Sequence, residues 1–230
     1  GELRRLGRVD HADAFLDTDP QERQRGITIF SKQARLTWKD RAVTLLDTPG
    51  HVDFSGETER TLPVLDAAVL VVSGTDGVQG HTRTLWRLLR RSHVPTFLFI
   101  NKIDLPGVSR PARMQEVRSL LSPDCADFSD DGWYEQAAAE SEEALESFLS
   151  TGTIPPEEVR RLIREERLFP CLFGAALRLD GVEKLLDTLA LYAPAKPSAQ
   201  EFGARVYKIS RDAQGARLTW LRVTGGSLHA

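Results

Sequence analysis

Two short runs of this chain, Ala67-Ala68-Val69-Leu70-Val71-Val72 and Phe97-Leu98-Phe99-Ile100, are apolar at every position. A strand points successive side chains to opposite faces, so such a run is buried only if both sides of its sheet are covered. Between the two lies Val78 to Ser92, with apolar residues at Val78, Leu85, Leu88 and Leu89 and arginines among them, which predicts an amphipathic helix. Strand, helix and strand in that order predict a parallel sheet with helices on both faces, a three-layer α/β domain.

The rest of the chain fits this frame. Gln33–Trp38 and Arg41–Leu46 are β-rich and flank the polar pair Lys39-Asp40, a hairpin pattern. Asp53 to Leu62 is helix-compatible, as is Arg110 to Leu121. A helical insertion is expected over about 123–167, where Ser129 to Arg167 is rich in Glu, Ala and Arg. Leu168 to Phe173 reads as one more strand, and Gly181 to Leu191 sets Val182, Leu185, Leu186 and Leu189 on one helical face. The segment 194–200, with Pro194 and Pro197, reads as a linker. Beyond it, 201–230 turns β-rich around Asp212 to Gly215 and is expected to open a second, β-barrel domain, so the first domain spans 1–193.

Composition removes several function classes. Two cysteines, Cys125 and Cys171, make neither a disulfide framework nor a paired Cys/His zinc site, which favours a reducing compartment and a cytoplasmic protein. No apolar run approaches the 18 or so residues of a membrane span. The net charge of −3 announces no nucleic-acid partner, yet leaves room for a local basic patch. Arg83, Arg87, Arg90 and Arg91 are the candidates for such a patch on the predicted helix 78–92, although a solvated face is the commoner meaning of such a cluster. Residue 1 is Gly and the only Met is Met114, so the chain reads as a window of a longer protein.

The chemistry-bearing motifs sit at strand ends. Asp47-Thr48-Pro49-Gly50-His51 ends the second hairpin strand. A carboxylate at such a strand end faces the crevice where α/β sheets bind ligands, and suits a magnesium ion that keeps most of its water. Gly50 lets its backbone N–H approach a phosphate oxygen closely. Asn101-Lys102-Ile103-Asp104 follows another predicted strand. A carboxylate accepting from a purine's ring N–H and its exocyclic amino group reads guanine, and adenine leaves it unpaired. Arg25-Gly26-Ile27-Thr28 lies before the hairpin, where a Thr can add its oxygen to a metal and terminal phosphate.

Taken together, these residues resemble the translational GTPases, the ribosome-acting relatives of elongation factor G. The segments Glu22 to Ile29, Asp76-Gly77-Val78-Gln79, Phe99 to Asp104 and Val206-Tyr207-Lys208-Ile209 look most like the tetracycline-resistance ribosomal protection proteins. The resemblance implies GTP or GDP with Mg²⁺, a ribosomal partner and a monomer. It implies Thr28 and Asp47 as metal ligands, Gly50 as the γ-phosphate sensor, and His51 as the residue that orients the attacking water. Asn101, Lys102 and Asp104 would hold the base together with the loop Ala175-Ala176-Leu177, where the family usually has Ser at position 175. That departure matters little if the backbone makes the contact, and weakens base affinity if the hydroxyl supports the loop.

A P-loop GTPase needs G-x-x-x-x-G-K-[ST], and no Gly-Lys pair occurs in this chain. The resemblance places that loop and the first, central strand upstream of Gly1. The full-length protein is then expected to hydrolyse GTP, and these residues alone to be inactive. Three functions follow: drug release from the ribosome, translocation like elongation factor G, or ribosome binding without turnover.

Overall fold

The computed structural model describes residues 28–51, 55–196, 199–212 and 214–229. The predicted loop residues Arg25, Gly26 and Ile27, the helix start at Asp53, and Pro197-Ser198 of the linker lie outside the described residues. The chain divides into two compact units, one comprising Asp66–Pro194 and the other the described residues on either side of it.

Strands β1 (Lys32–Trp38) and β2 (Arg41–Asp47) and helix α1 (Ser55–Thr61) come before Asp66 in the chain. In Asp66–Pro194 the strands are β3 (Ala68–Ser73), β4 (Thr96–Asn101), β5 (Cys125–Asp127) and β6 (Phe169–Phe173). They form a four-stranded sheet in the order β3-β4-β6-β5, parallel throughout. Helices α2 (Gly80–Arg91) and α3 (Arg110–Leu120) make the crossovers that precede β4 and β5. Three short helices, α4 (Trp133–Ala138), α5 (Glu142–Thr151) and α6 (Pro156–Arg164), lie between β5 and β6, and α7 (Val182–Tyr192) closes the unit.

Both faces of this sheet are covered, as the two apolar runs require. Phe97 and Phe99 of β4 join Leu172 of β6 in one core with Trp133, Ala144, Val159, Leu162, Ile163 and Tyr192, residues of α4 to α7. Phe128 stacks on Trp133 there, with ring centroids 4.0 Å apart. On the opposite face Trp86 of α2 meets Phe169 edge-on at 4.8 Å, and Arg110 of α3 lies over the Phe173 ring. The alternate β4 residues Leu98 and Ile100 are fully buried as well. Fully burying a side chain of this size contributes about 1.5–3 kcal/mol, so β4 is a large part of what holds the sheet together.

The insertion, expected to be helical, begins with a strand. Cys125-Ala126-Asp127 pairs with Phe169-Pro170-Cys171 at the sheet edge before the first helix starts at Trp133. Three residues are too short a run to show periodicity, and only the pairing with β6 makes them a strand. The helices that follow carry readable local signals. The Ser141 hydroxyl accepts from Ala144 N–H at 3.0 Å to cap α5, which ends on Gly152 in the left-handed region.

In the other unit β1 and β2 form the predicted hairpin, antiparallel in the register Lys32 opposite Asp47. Lys39 takes a positive φ of 52° in the turn. A 3₁₀ turn, Leu62–Val64, follows α1. Further along, β7 (Gly203–Arg211) and β8 (Arg217–Gly225) form a small antiparallel sheet, and Ala199, in the segment expected to be a linker, donates its N–H to Thr224 O at 3.1 Å. Among the described residues no helix is long and apolar enough to cross a membrane.

Leu162→Ala should destabilise the Asp66–Pro194 unit by about 2–5 kcal/mol, because the cavity opens in a fully buried core. Urea unfolding followed by tryptophan fluorescence measures it.

Candidate functional site

In a parallel sheet the loops after the strands gather at the carboxyl edge. The edge of the Asp66–Pro194 unit joins three such loops, those after β3, β4 and β6. The link is Asn101, the last residue of β4. Its Oδ1 accepts from Lys102 N–H at 2.8 Å and from Ala176 N–H, in the loop after β6, at 2.9 Å. Backbone bonds reinforce the join: Gly174 N–H donates to Ile100 O at 2.9 Å, and Ile103 N–H to Gly174 O at 3.2 Å. With both acceptor positions of Oδ1 in use, the carboxamide is held with its Nδ2 donor available for a ligand.

Around this join the chain is tightly turned. Lys102 sits at φ 65°, a conformation a side chain-bearing residue holds only where its surroundings enforce it. Two residues on, Asp104 Oδ2 lies 3.0 Å from Arg178 Nε, an ion pair between the β4 and β6 loops. Gly174 is a position where no side chain fits, since a Cβ there would press into Asp180 O and the Phe99 ring. Ala175 N–H donates to Asp180 O at 3.0 Å, and Asp180 N–H returns to Ala175 O at 3.2 Å. The loop Ala175-Ala176-Leu177 is therefore closed by backbone bonds, with Ala175 buried and Leu177 exposed. A hydroxyl at position 175 is not among the groups that close it.

The β3 loop completes the edge. Gly74 N–H donates to Asn101 O at 2.7 Å. Asp76 receives the Ser73 hydroxyl at 2.7 Å and the Thr75 hydroxyl at 3.2 Å. These bonds, Ser73 first, hold the Asp76 carboxyl below the usual carboxylate range, and the Lys102 and Arg113 charges pull the same way. Whatever stability that carboxylate lends the loop is present above its ordinary pKa and is lost only as pH falls through the lowered one. The sequence alone gives Asp76 no role and does not single out Gly74 or Arg178. The Asp76-Gly77 turn signature is a signal for the first, whereas nothing in the spacing marks Arg178 as facing Asp104.

The remaining predicted residues lie in the other unit. Asp47 ends β2, and Pro49-Gly50-His51 follows it; Gly50 and His51 are exposed and Pro49 is buried. The Thr58 hydroxyl of α1 donates to Pro49 O at 3.0 Å and ties that turn to the helix. Thr28 opens the described residues and is half-buried. So Thr28, Asp47, Gly50 and His51 belong to one unit, while Asn101, Lys102, Asp104, Ala175, Ala176 and Leu177 belong to the other. Among the described residues no three His, Cys, Asp or Glu side chains cluster as a metal cage.

Residues 1–195 match the family described as the elongation factor Tu GTP binding domain. The chain belongs to this family. It is thus a GTP-binding domain of the translational GTPase type. It is 34% identical over 250 residues to the tetracycline resistance protein TetO of Campylobacter jejuni, and 32% identical to TetS of Listeria monocytogenes. It is also 32% identical over 252 residues to TetM from transposon Tn1545 of Enterococcus faecalis. Each alignment covers all of this chain and 39% of the relative, so the chain spans well under half of those proteins. In structure it matches a crystallised protein of Thermus thermophilus with a TM-score of 0.84 at 23% identity, covering 98% of this chain and 42% of that one. The likeness shows a shared fold: an α/β domain with a parallel sheet, followed by a small antiparallel hairpin.

Asn101→Ala should cost about 1–3 kcal/mol, because the Ala176 and Lys102 amides both lose their partner. Amide hydrogen exchange at Ala176 and Lys102 should quicken while the β4 core amides keep their relative protection.

Proposed function

We propose that this chain is the nucleotide-binding part of a ribosome-dependent GTPase, and that the full-length protein protects the ribosome against tetracycline. The observation that carries the guanine assignment is Asn101. Its Oδ1 is committed to the Lys102 and Ala176 amides, which leaves its Nδ2 as a donor for the acceptor edge of a purine, with the Asp104 carboxylate two peptide bonds beyond Lys102. An amide donor beside a carboxylate acceptor matches guanine and mismatches adenine, whose acceptor and donor positions are exchanged. Lys102, held at its positive φ, lays its stem along the base, and Ala175-Ala176-Leu177 wall the site from the β6 side.

The hydrolytic half of the reading rests on the motif after β2 and on family membership. Bound Mg²⁺ would offset phosphate charge, with Thr28 and Asp47 as its protein ligands. Gly50 offers a backbone N–H to the terminal phosphate. His51, exposed at the end of that turn, orients and polarises the attacking water when a ribosome positions it. The protein acts in the cytoplasm as a monomer, and a β-barrel domain begins with β7 and β8. The tetracycline assignment draws on the 31–34% identity to resistance proteins; an elongation factor of the translocating kind is the second reading.

In the full-length protein, Asp104→Asn should weaken GTP binding and improve xanthosine triphosphate, since an amide donor matches the carbonyl that xanthine carries in place of the amino group. Fluorescent-nucleotide titration reads it, and unchanged GTP affinity would remove Asp104 from the base site. His51→Ala should keep GTP binding and lower ribosome-stimulated turnover by about 10²-fold or more. The same variant should abolish the tetracycline tolerance that the wild type confers on a sensitive bacterium. A wild type that turns over GTP on ribosomes without conferring tolerance belongs to the translocating class.

A further inference from the structure

The arginines of α6 and those of α2 differ in what surrounds them among the described residues. On α6 and its flanks three arginines are matched by carboxylates: Arg160 with Glu157 at 3.4 Å, Arg161 with Glu158 at 2.6 Å, Arg167 with Glu140 at 3.8 Å. On α2 the sequence Gly-His-Thr-Arg-Thr-Leu-Trp-Arg-Leu-Leu-Arg-Arg contains four arginines and no acid. One of the four is structural, since Arg90 lies 4.9 Å above the Phe169 ring and donates to Glu166 O at 3.1 Å. The other three, Arg83, Arg87 and Arg91, are exposed and have no carboxylate in ion-pair reach among the described residues.

These three recur at intervals of four along α2, so they stand in one row on its exposed side, while Trp86 and Leu89 are buried. The row works against its own helix. Like charges four residues apart repel, and Arg83 sits near the helix N-terminus, where the macrodipole disfavours a cation. Only Arg91, in the last turn, suits the dipole. The row costs the helix stability and is served by no carboxylate among the described residues, which suits it to external anions.

We infer that the Arg83-Arg87-Arg91 row of α2 is a docking surface for the phosphate backbone of RNA. Two features select a phosphate polymer. Every cation in the row is a guanidinium, whose fork takes two oxygens of one phosphate, and lysine is absent. The row also repeats its charge at each turn over about 12 Å of helix axis, which suits a repeating anion better than a single one. The inference deepens the proposed ribosomal action and rests on it for the choice of RNA among phosphate polymers.

The test compares Arg83→Gln/Arg87→Gln/Arg91→Gln with a control of equal charge change, Arg60→Gln/Arg160→Gln/Arg211→Gln, in the full-length protein. Binding of a fluorescein-labelled ribosomal RNA hairpin is followed by anisotropy across salt concentrations. Each phosphate contact contributes about 0.7–0.9 to the slope of log affinity against log salt, so the α2 triple should lower the slope by about 2 to 3 and the control should not. The α2 triple should also melt no lower than the wild type, since repulsion has been removed. If it fails to fold, each single α2 variant should lower the slope by somewhat less than one. Equal slopes for triple and control would overturn the proposal. So would loss of polyglutamate binding in the α2 triple with RNA binding unchanged, which would make the row a site for an acidic protein. Fluorescent GDP binding, run in parallel, separates the two readings: its absence from the wild type would defeat the nucleotide assignment while the salt slopes still decide the arginines.

Discussion

Strand β4 is the member on which the rest of the Asp66–Pro194 unit depends. Phe97 and Phe99 point into one core, Leu98 and Ile100 into the other, and all four are essentially removed from water. A strand buried on both faces must be flanked by strands on both edges and by helices above and below, or its backbone and side chains go unsatisfied. β3 and β6 supply the edges, α2 and α3 one cover, and α4 to α7 the other. Because β4 cannot shift by a residue without exchanging its faces, the position of its last residue is fixed along with its core. Asn101 is that residue, and the hydrogen bonds it makes to the β6 loop inherit their geometry from the buried strand.

The candidate base site is therefore a consequence of packing as much as of motif. Gly174 leaves room for the Phe99 ring, Gly74 donates to Asn101 O, and the Ala175–Asp180 backbone pair closes the β6 loop. These are contacts within the chain, so the packing of the protein itself organises the edge. The Asp104–Arg178 pair belongs to the same organisation, with Arg178 Nε on one carboxylate oxygen, Oδ2. The α2 arginines stand apart from this arrangement, since they add repulsion to a helix that already has an adequate apolar face.

The strands with long apolar runs, the hairpin turn at Lys39-Asp40 and the amphipathic helices are legible in the sequence because each repeats its signal over several residues. β5 is not, as three residues carry no period and the strand exists only through its pairing with β6. Asn101, Lys102 and Asp104 are readable as a contiguous motif, and Ala175 to Leu177 as a weaker one. Arg178 and Gly74 are not, because their partners, Asp104 and Asn101, stand far off in the chain with no spacing rule to connect them.

What the sequence determined alone is the class of fold, the order of its main elements and which residues stand at two of its strand ends. These follow from local facts: runs of apolar residues, turn formers, and carboxylate, amide and glycine residues in fixed short order. Tertiary structure decided which loops meet, that the Asn101 carboxamide faces Ala176 with its oxygen, and that Arg178 faces Asp104. Those outcomes depend on distances between residues far apart in the chain, and only a sheet closed on both faces sets them.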